Sequence, residues 1–220
     1  GIGDEIQVYK ANMIIPQIAE NLTRSGVKDI PKVCPVCGGA TKISMENETK
    51  TLYCTNPKCQ AKHVKSFALF VSRDAMNIEG LSEATLEKFI FHCYVKDFTH
   101  LFHLDDYRDE IMTMDGFGEK SFLKLQNSIE KARKTTLARL VYGLGIPGIG
   151  SANAKVICRA LGNDPQRVLQ AEEAELVEIQ GVGAVMAKSY VDYFKEEDHQ
   201  ELFKHLLNEV ELEEEEVTED

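Results

Sequence analysis

The sequence predicts a mainly α, multi-domain chain: a short β piece, a small segment folded around four cysteines, and an all-α domain of four repeated units. Three observations carry this. Apolar residues recur at helical spacing almost without a break from residue 64 to 208. A Gly-x-Gly phrase flanked by apolar residues returns at a steady interval. Two cysteine pairs stand sixteen residues apart near the start.

The clearest copy of the repeated phrase is Ile146-Pro147-Gly148-Ile149-Gly150-Ser151-Ala152-Asn153-Ala154. It predicts a tight turn between two helices, with Ile149 plugging the angle and the small Ala154 one turn into the second helix. Glycine permits backbone angles that residues with a Cβ avoid and lets another surface come close. The first N–H groups of the following helix have no partner within it and suit an anion. Ile179-Gln180-Gly181-Val182-Gly183-Ala184-Val185-Met186-Ala187 repeats the pattern, and Met114-Asp115-Gly116-Phe117-Gly118 is a third copy with Phe122 in the alanine position. Ile78-Glu79-Gly80-Leu81-Ser82 is a degenerate fourth, with Ser82 for the second glycine and Leu86 for the alanine. The leading glycines lie 36, 32 and 33 residues apart, a period that signals a repeat architecture; the alternative is four ordinary helix-capping glycines in an all-helical domain.

This pattern is that of the helix-hairpin-helix, which grips a nucleic-acid phosphate through main-chain amides. The candidate DNA contacts are Gly80, Leu81 and Ser82; Gly116, Phe117 and Gly118 with Lys120 and Ser121; Gly148, Ile149, Gly150 and Ser151 with Lys155; and Gly181, Val182 and Gly183 with Lys188. The three lysines fall early in the helices that leave the hairpins, within reach of an adjacent phosphate; as surface residues they could equally be solvated. Lys88 and Lys124 give a weaker hint.

Cys34-Pro35-Val36-Cys37 and Cys54-Thr55-Asn56-Pro57-Lys58-Cys59 each sit on a turn. The segments around Thr41-Lys42-Ile43 and Thr51-Leu52-Tyr53 read as a hairpin that brings the two turns together. Cys34, Cys37, Cys54 and Cys59 then surround a tetrahedral ion, the closed coordination of structural zinc. No open position is evident, so the metal is expected to fold the segment, which is too small to bury an adequate core. Disulfides or free thiols are the alternative. Cys93 and Cys158 lie in apolar helical patterns and are expected in the core.

Ahead of the cysteines, Ile6, Val8 and Ala11 alternate as one face of a strand, and Met13-Ile14-Ile15 is a second piece stopped by Pro16. Gln17 to Arg24 reads as a short helix or a linker. At the other end, residues 209–220 are mostly glutamate and are expected to be a disordered tail. The expected domains are thus 1–30, 31–63, 64–208 and the tail.

The net charge of −11 looks hostile to nucleic acid, but its distribution removes most of the objection. Of 36 acidic and 25 basic side chains, twelve and one lie in residues 196–220, which leaves 24 of each elsewhere. A neutral body can bind DNA where its lysines share a face. No apolar run approaches the roughly 20 residues of a membrane helix, and no signal-peptide pattern opens the chain. Six cysteines, four of them paired, fit a reducing compartment, so a cytoplasmic protein is expected.

A strand ending in Ile14-Ile15-Pro16, a four-cysteine knuckle and four helix-hairpin-helix units resemble, in that order, the C-terminal half of bacterial NAD-dependent DNA ligase. The phrases Gly116-Phe117-Gly118-Glu119-Lys120-Ser121 and Leu144-Gly145-Ile146-Pro147-Gly148-Ile149-Gly150 are similar to that family's, and the resemblance runs from about residue 3 to 208. It implies that residues 1–30 are the end of an OB-fold, that Cys34, Cys37, Cys54 and Cys59 hold zinc, and that the hairpins help close a monomeric enzyme around nicked double-stranded DNA. NAD and magnesium would belong to the parent enzyme. The Lys-x-Asp-Gly nucleotidyltransferase motif, most of the OB-fold and a final BRCT domain are absent from these 220 residues. The chain is therefore expected to be a ligase fragment, active in replication and repair only as part of its parent. The alternative is a non-enzymatic helix-hairpin-helix adaptor of repair or recombination.

Overall fold

A computed structural model describes residues 1–12, 14–46 and 49–214. It is mostly helical and divides into two compact units, Gly1–Gln60 and Ala61–Asp220.

The first unit holds two antiparallel hairpins. In one, β1 (Ile6–Ala11) pairs with β2 (Ile15–Asn21), with a register irregularity at Gln7/Val8. The second strand runs through Pro16 and takes up most of the segment expected to be helix or linker. Proline lacks an N–H to donate, but an edge strand of a two-stranded sheet tolerates it, and Pro16 sits opposite Lys10. Ile6, Val8, Tyr9, Ile15 and Ile18 are all exposed. In the other hairpin, β3 (Thr41–Glu46) faces β4 (Thr49–Cys54), with Thr41 opposite Cys54 and Ile43 opposite Leu52, as expected.

The second unit opens within α1 (Gln60–Val71), one residue past its start, and Phe67, Phe70 and Val71 of this helix are buried. Helix α2 (Glu83–Phe91) buries Leu86 and Phe89. It ends in a Schellman arrangement: Tyr94 N–H donates to Phe89 C=O at 2.9 Å and Cys93 N–H to Ile90 C=O at 3.0 Å. Cys93 takes the left-handed position after the cap, at φ +59°, and is exposed. It is therefore a turn residue and not the core residue expected, whereas Cys158 is fully buried. A 3-10 segment, Phe98–Tyr107, starts where Asp97 accepts from Thr99 N–H, and leads into α3 (Arg108–Met112).

Helix α4 (Glu119–Ala132) buries Phe122, Leu125, Ile129 and Ala132 at spacings of three and four. After the short β5 (Lys134–Thr135) come α5 (Leu137–Gly143) and α6 (Ser151–Ala160). Gly162, at φ +71°, stops α6 in a second Schellman turn, where Asn163 N–H donates to Cys158 C=O. Val156 points outward at 41% exposure. Helices α7 (Pro165–Gln170) and α8 (Glu173–Leu176) lead to α9 (Ala184–Lys195) and α10 (Glu197–Glu209). Tyr190 on α9 is wholly buried, and its hydroxyl donates to Val168 C=O at 2.9 Å, which satisfies its polar end. All these buried faces belong to one continuous core.

The chain beyond Glu209 begins with order. β6 (Glu211–Leu212) pairs in parallel with β5, and Arg133 anchors it by donating to the backbone and carboxylate of Glu209 and to Phe102 C=O. The disorder expected from residue 209 thus does not hold at 211–212; residues 215–220 lie outside the described part.

Candidate metal centre and nucleic-acid interface

In the first unit, the sulfurs of Cys34, Cys37, Cys54 and Cys59 all lie within 4.8 Å of one another. Cys34 and Cys59 are 3.9 Å apart, Cys37 and Cys54 3.5 Å, and none forms a disulfide. A tetrahedron with metal–sulfur bonds of about 2.3 Å has edges of about 3.8 Å, so the four thiols fit one ion. The antiparallel strands place Cys54 opposite Thr41, and the left-handed Gly38, at φ +68°, folds the first knuckle back. Gly39 N–H donates to Cys37 Sγ at 3.4 Å and pulls this thiol down to about 6. Amides of Cys37 and Val36 lower Cys34, while burial pushes Cys54 up to about 11. The site thus supplies N–H donors to part of the thiolate charge, and a metal ion bound there would neutralise the rest.

In the second unit, the four predicted corners share one backbone. Each leading glycine is left-handed: Gly80 at φ +92°, Gly116 at +87°, Gly148 at +79° and Gly181 at +90°. In three corners the plugging residue closes the turn from i+3: Phe117 N–H to Met114 C=O, Ile149 to Ile146 and Val182 to Ile179, at 2.9–3.0 Å. Leu81, Ile149 and Val182 are buried; Phe117 is half-buried against Phe89, ring centres 5.7 Å apart. Four residues past each second position, Leu86, Phe122, Ala154 and Ala187 are buried and close the first helical bond.

The second position obeys a different rule. Ser82 (φ −73°), Gly118 (−139°), Gly150 (−82°) and Gly183 (−83°) are all extended N-caps, angles open to any residue. A Cβ added at Gly118, Gly150 or Gly183 would meet nothing within 4 Å. Neither backbone angle nor internal packing calls for glycine there. Its effect is to leave the helix start bare, and α4, α6 and α9 have no side-chain cap. The three exposed N-termini therefore offer unpaired amides and a partial positive charge. The first corner differs: Ser82 Oγ accepts from Thr85 N–H at 3.2 Å and caps α2 from within.

The corners work in pairs. Lys88 Nζ donates to Asp115 C=O beside the second corner, and Glu79 N–H at the first corner donates to Ser128 Oγ of α4 at 2.7 Å. Ser189 Oγ of α9 donates to Pro147 C=O at the third corner at 2.6 Å. These serine ties carried no sequence signal. Lys120, Ser121 and Lys155 are exposed beside their corners, and Ser151 is half-buried. Lys188 is different: its Nζ lies 2.6 Å from Asp192, one turn on, and the two stabilise each other's charged forms. The i,i+4 spacing of Lys188 and Asp192 was a readable warning. Among the described residues no helix is long and apolar enough to cross a membrane.

A family described as "Helix-hairpin-helix motif" matches residues 139–203, which include the third and fourth corners. The chain is 56% identical over 214 residues to a DNA ligase of Ruminiclostridium cellulolyticum, covering 97% of this chain and 33% of that protein. It is 54% identical over 217 residues to a DNA ligase of Lachnoclostridium phytofermentans, covering 99% and 33%. A DNA ligase of Thermosipho africanus matches at 37% identity over 223 residues, again covering 99% and 33%. The chain spans about a third of the length of these relatives. Nearly the whole chain is thus similar to about a third of these DNA ligases, and the segment with its third and fourth corners matches the helix-hairpin-helix family.

Proposed function

We propose that this chain is the DNA-gripping, C-terminal part of an NAD-dependent DNA ligase. It acts in the cytoplasm as a monomer, and the adenylation chemistry, with its NAD and magnesium, resides elsewhere in the parent protein. Three helix N-termini hold backbone phosphates of a duplex around a nick, without reading base sequence. The parent enzyme then seals the 5′-phosphate to the 3′-hydroxyl in replication and repair. Lys120 and Lys155 add long-range attraction, and Lys188 contributes less because Asp192 shares its charge.

The observation that carries this reading is the glycine at positions 118, 150 and 183, which nothing inside the protein requires. A missing side chain there makes room for something outside. The metal is zinc, held by Cys34, Cys37, Cys54 and Cys59, and it stabilises the first unit without entering the reaction. We read residues 1–30 as the end of an OB-fold, 31–63 as a zinc finger and 64–208 as the helical domain.

The test is a titration of nicked against intact duplex at two salt concentrations. Binding that weakens steeply with salt and favours the nick supports the proposal. Salt-insensitive binding, or none, rejects it.

A further inference from the structure

Two cavities of the second unit share Asn77 and Lys131 and so form one trough. One, of about 580 Å³, runs from Glu79 and Gly80 at the first corner along Lys124, Asn127 and Ser128 of α4. The other, of about 350 Å³, continues past Lys134 and Thr135 to Arg139 and Glu213. Four cations and two carboxylates line the whole, a positive strip on a chain whose net charge is −11.

The ammonium groups of Lys124, Lys131 and Lys134 have no hydrogen bond or ion pair among the described residues, whereas Arg139 is spent on the carbonyls of Ala75 and Arg73. Lys124 and Lys131 lie seven residues apart, about 10 Å along α4. That is about three nucleotide rises of one DNA strand. At the far end, Thr135 is buried, with 5% exposure, and its Oγ1 has no hydrogen-bond partner among the described residues. Buried hydroxyls in folded proteins nearly always have one.

The trough also answers a gap left by the first corner. There Ser82 occupies the amide that the other three corners leave bare, so α2 offers a phosphate less. The trough begins beside that corner, at Gly80. We infer that it is a second binding track, in which Lys124, Lys131 and Lys134 hold phosphates of the DNA strand leaving the first corner. Side chains do there what amides do at the other three corners. This rests on the DNA-binding reading above.

The experiment measures log K against log salt for the full chain on nicked duplex, comparing wild type with K124Q/K131Q, K124R/K131R and G150V/G183V. Losing two phosphate contacts lowers the slope by about 1.8. The glutamine pair is expected to show that loss at unchanged melting temperature, the arginine pair to restore the slope, and trimming the duplex on the first-corner side to erase the difference between them. A glutamine pair with the wild-type slope overturns the track, even while G150V/G183V weakens binding and so upholds the corners. Inorganic phosphate that shifts the Lys131 and Lys134 NMR signals while the DNA slope stays unchanged also overturns it, since the trough is then only an anion site. Wild type with no DNA binding overturns both readings.

Discussion

Ser189 Oγ donates to Pro147 C=O at 2.6 Å, so the helix leaving the fourth corner is tied to the turn of the third. The first pair of corners is joined at the equivalent place, one residue before the leading glycine, but in the opposite sense: there Glu79 supplies an N–H to Ser128. Pro147 has no N–H to give, and its carbonyl takes over the role. The spacing between two bare helix ends depends on such ties. Ser189→Ala should cost about 0.5–1.5 kcal/mol of second-unit stability, seen in thermal unfolding, and should weaken DNA binding further than that loss alone explains.

The two glycines of a corner should behave differently when replaced. Gly148 and Gly181 are left-handed, so a bulky residue there strains the backbone by about 1–3 kcal/mol whatever it does to DNA. Gly150 and Gly183 are extended with open space around them, so valine should fit without strain and cost only the poorer helix cap, about 0.5–1 kcal/mol at each site. Binding should still fall by about 1–3 kcal/mol, the cost of losing hydrogen bonds to a charged group. Calorimetry beside a DNA titration separates the two effects.

Ser82→Gly should do the reverse. It removes a cap at a cost of a few tenths of a kcal/mol, because glycine is itself a fair N-cap. It also frees Thr85 N–H. A steeper salt slope on DNA, with a slightly lower melting temperature, is the expected pair of results.

The clasp at Glu209 predicts an acid dependence. Burial opposes ionisation of this carboxyl, but hydrogen bonds from His103 and Arg133 outweigh it and hold the group below the usual glutamate range. A depressed carboxylate stabilises the fold above its unfolded value, about 4.3, and loses that contribution as pH falls through the lower folded value. The wild-type second unit should therefore lose stability below about pH 4.3 more steeply than Glu209→Gln, which should also be weaker at pH 7. Melting curves across that window check both.

Metal removal should act on one unit alone. A chelator should unfold the cysteine-bearing part of the first unit, release one zinc per chain and leave the melting of the second unit in place. Mass spectrometry and thiol counting read the metal; circular dichroism reads the helices.

The corners were legible in the sequence because glycine in the left-handed region and a period near 33 residues leave a mark that few other features produce. The four sulfurs were legible for a similar reason: metal geometry dictates cysteine spacing. What escaped was fixed by tertiary context. Cys93 fills a left-handed turn that glycine usually takes, so the apolar helical pattern around it misplaced it in the core. The strand through Pro16 depends on its being an edge, and β6 on the anchor at Arg133, neither visible from local pattern. The reason for the second glycine was also hidden. Its extended angles and empty surroundings point to an outside partner rather than to a strained turn.

The most direct measurement is the salt dependence of nicked-duplex binding by G150V/G183V beside wild type, with melting temperatures recorded for both. Bare helix ends that hold phosphates predict a variant that stays folded, with a melting temperature lowered only by its two poorer caps, and that binds more weakly with a shallower slope. Equal affinity and equal slope in a variant that is folded at the temperature of the titration would contradict the account.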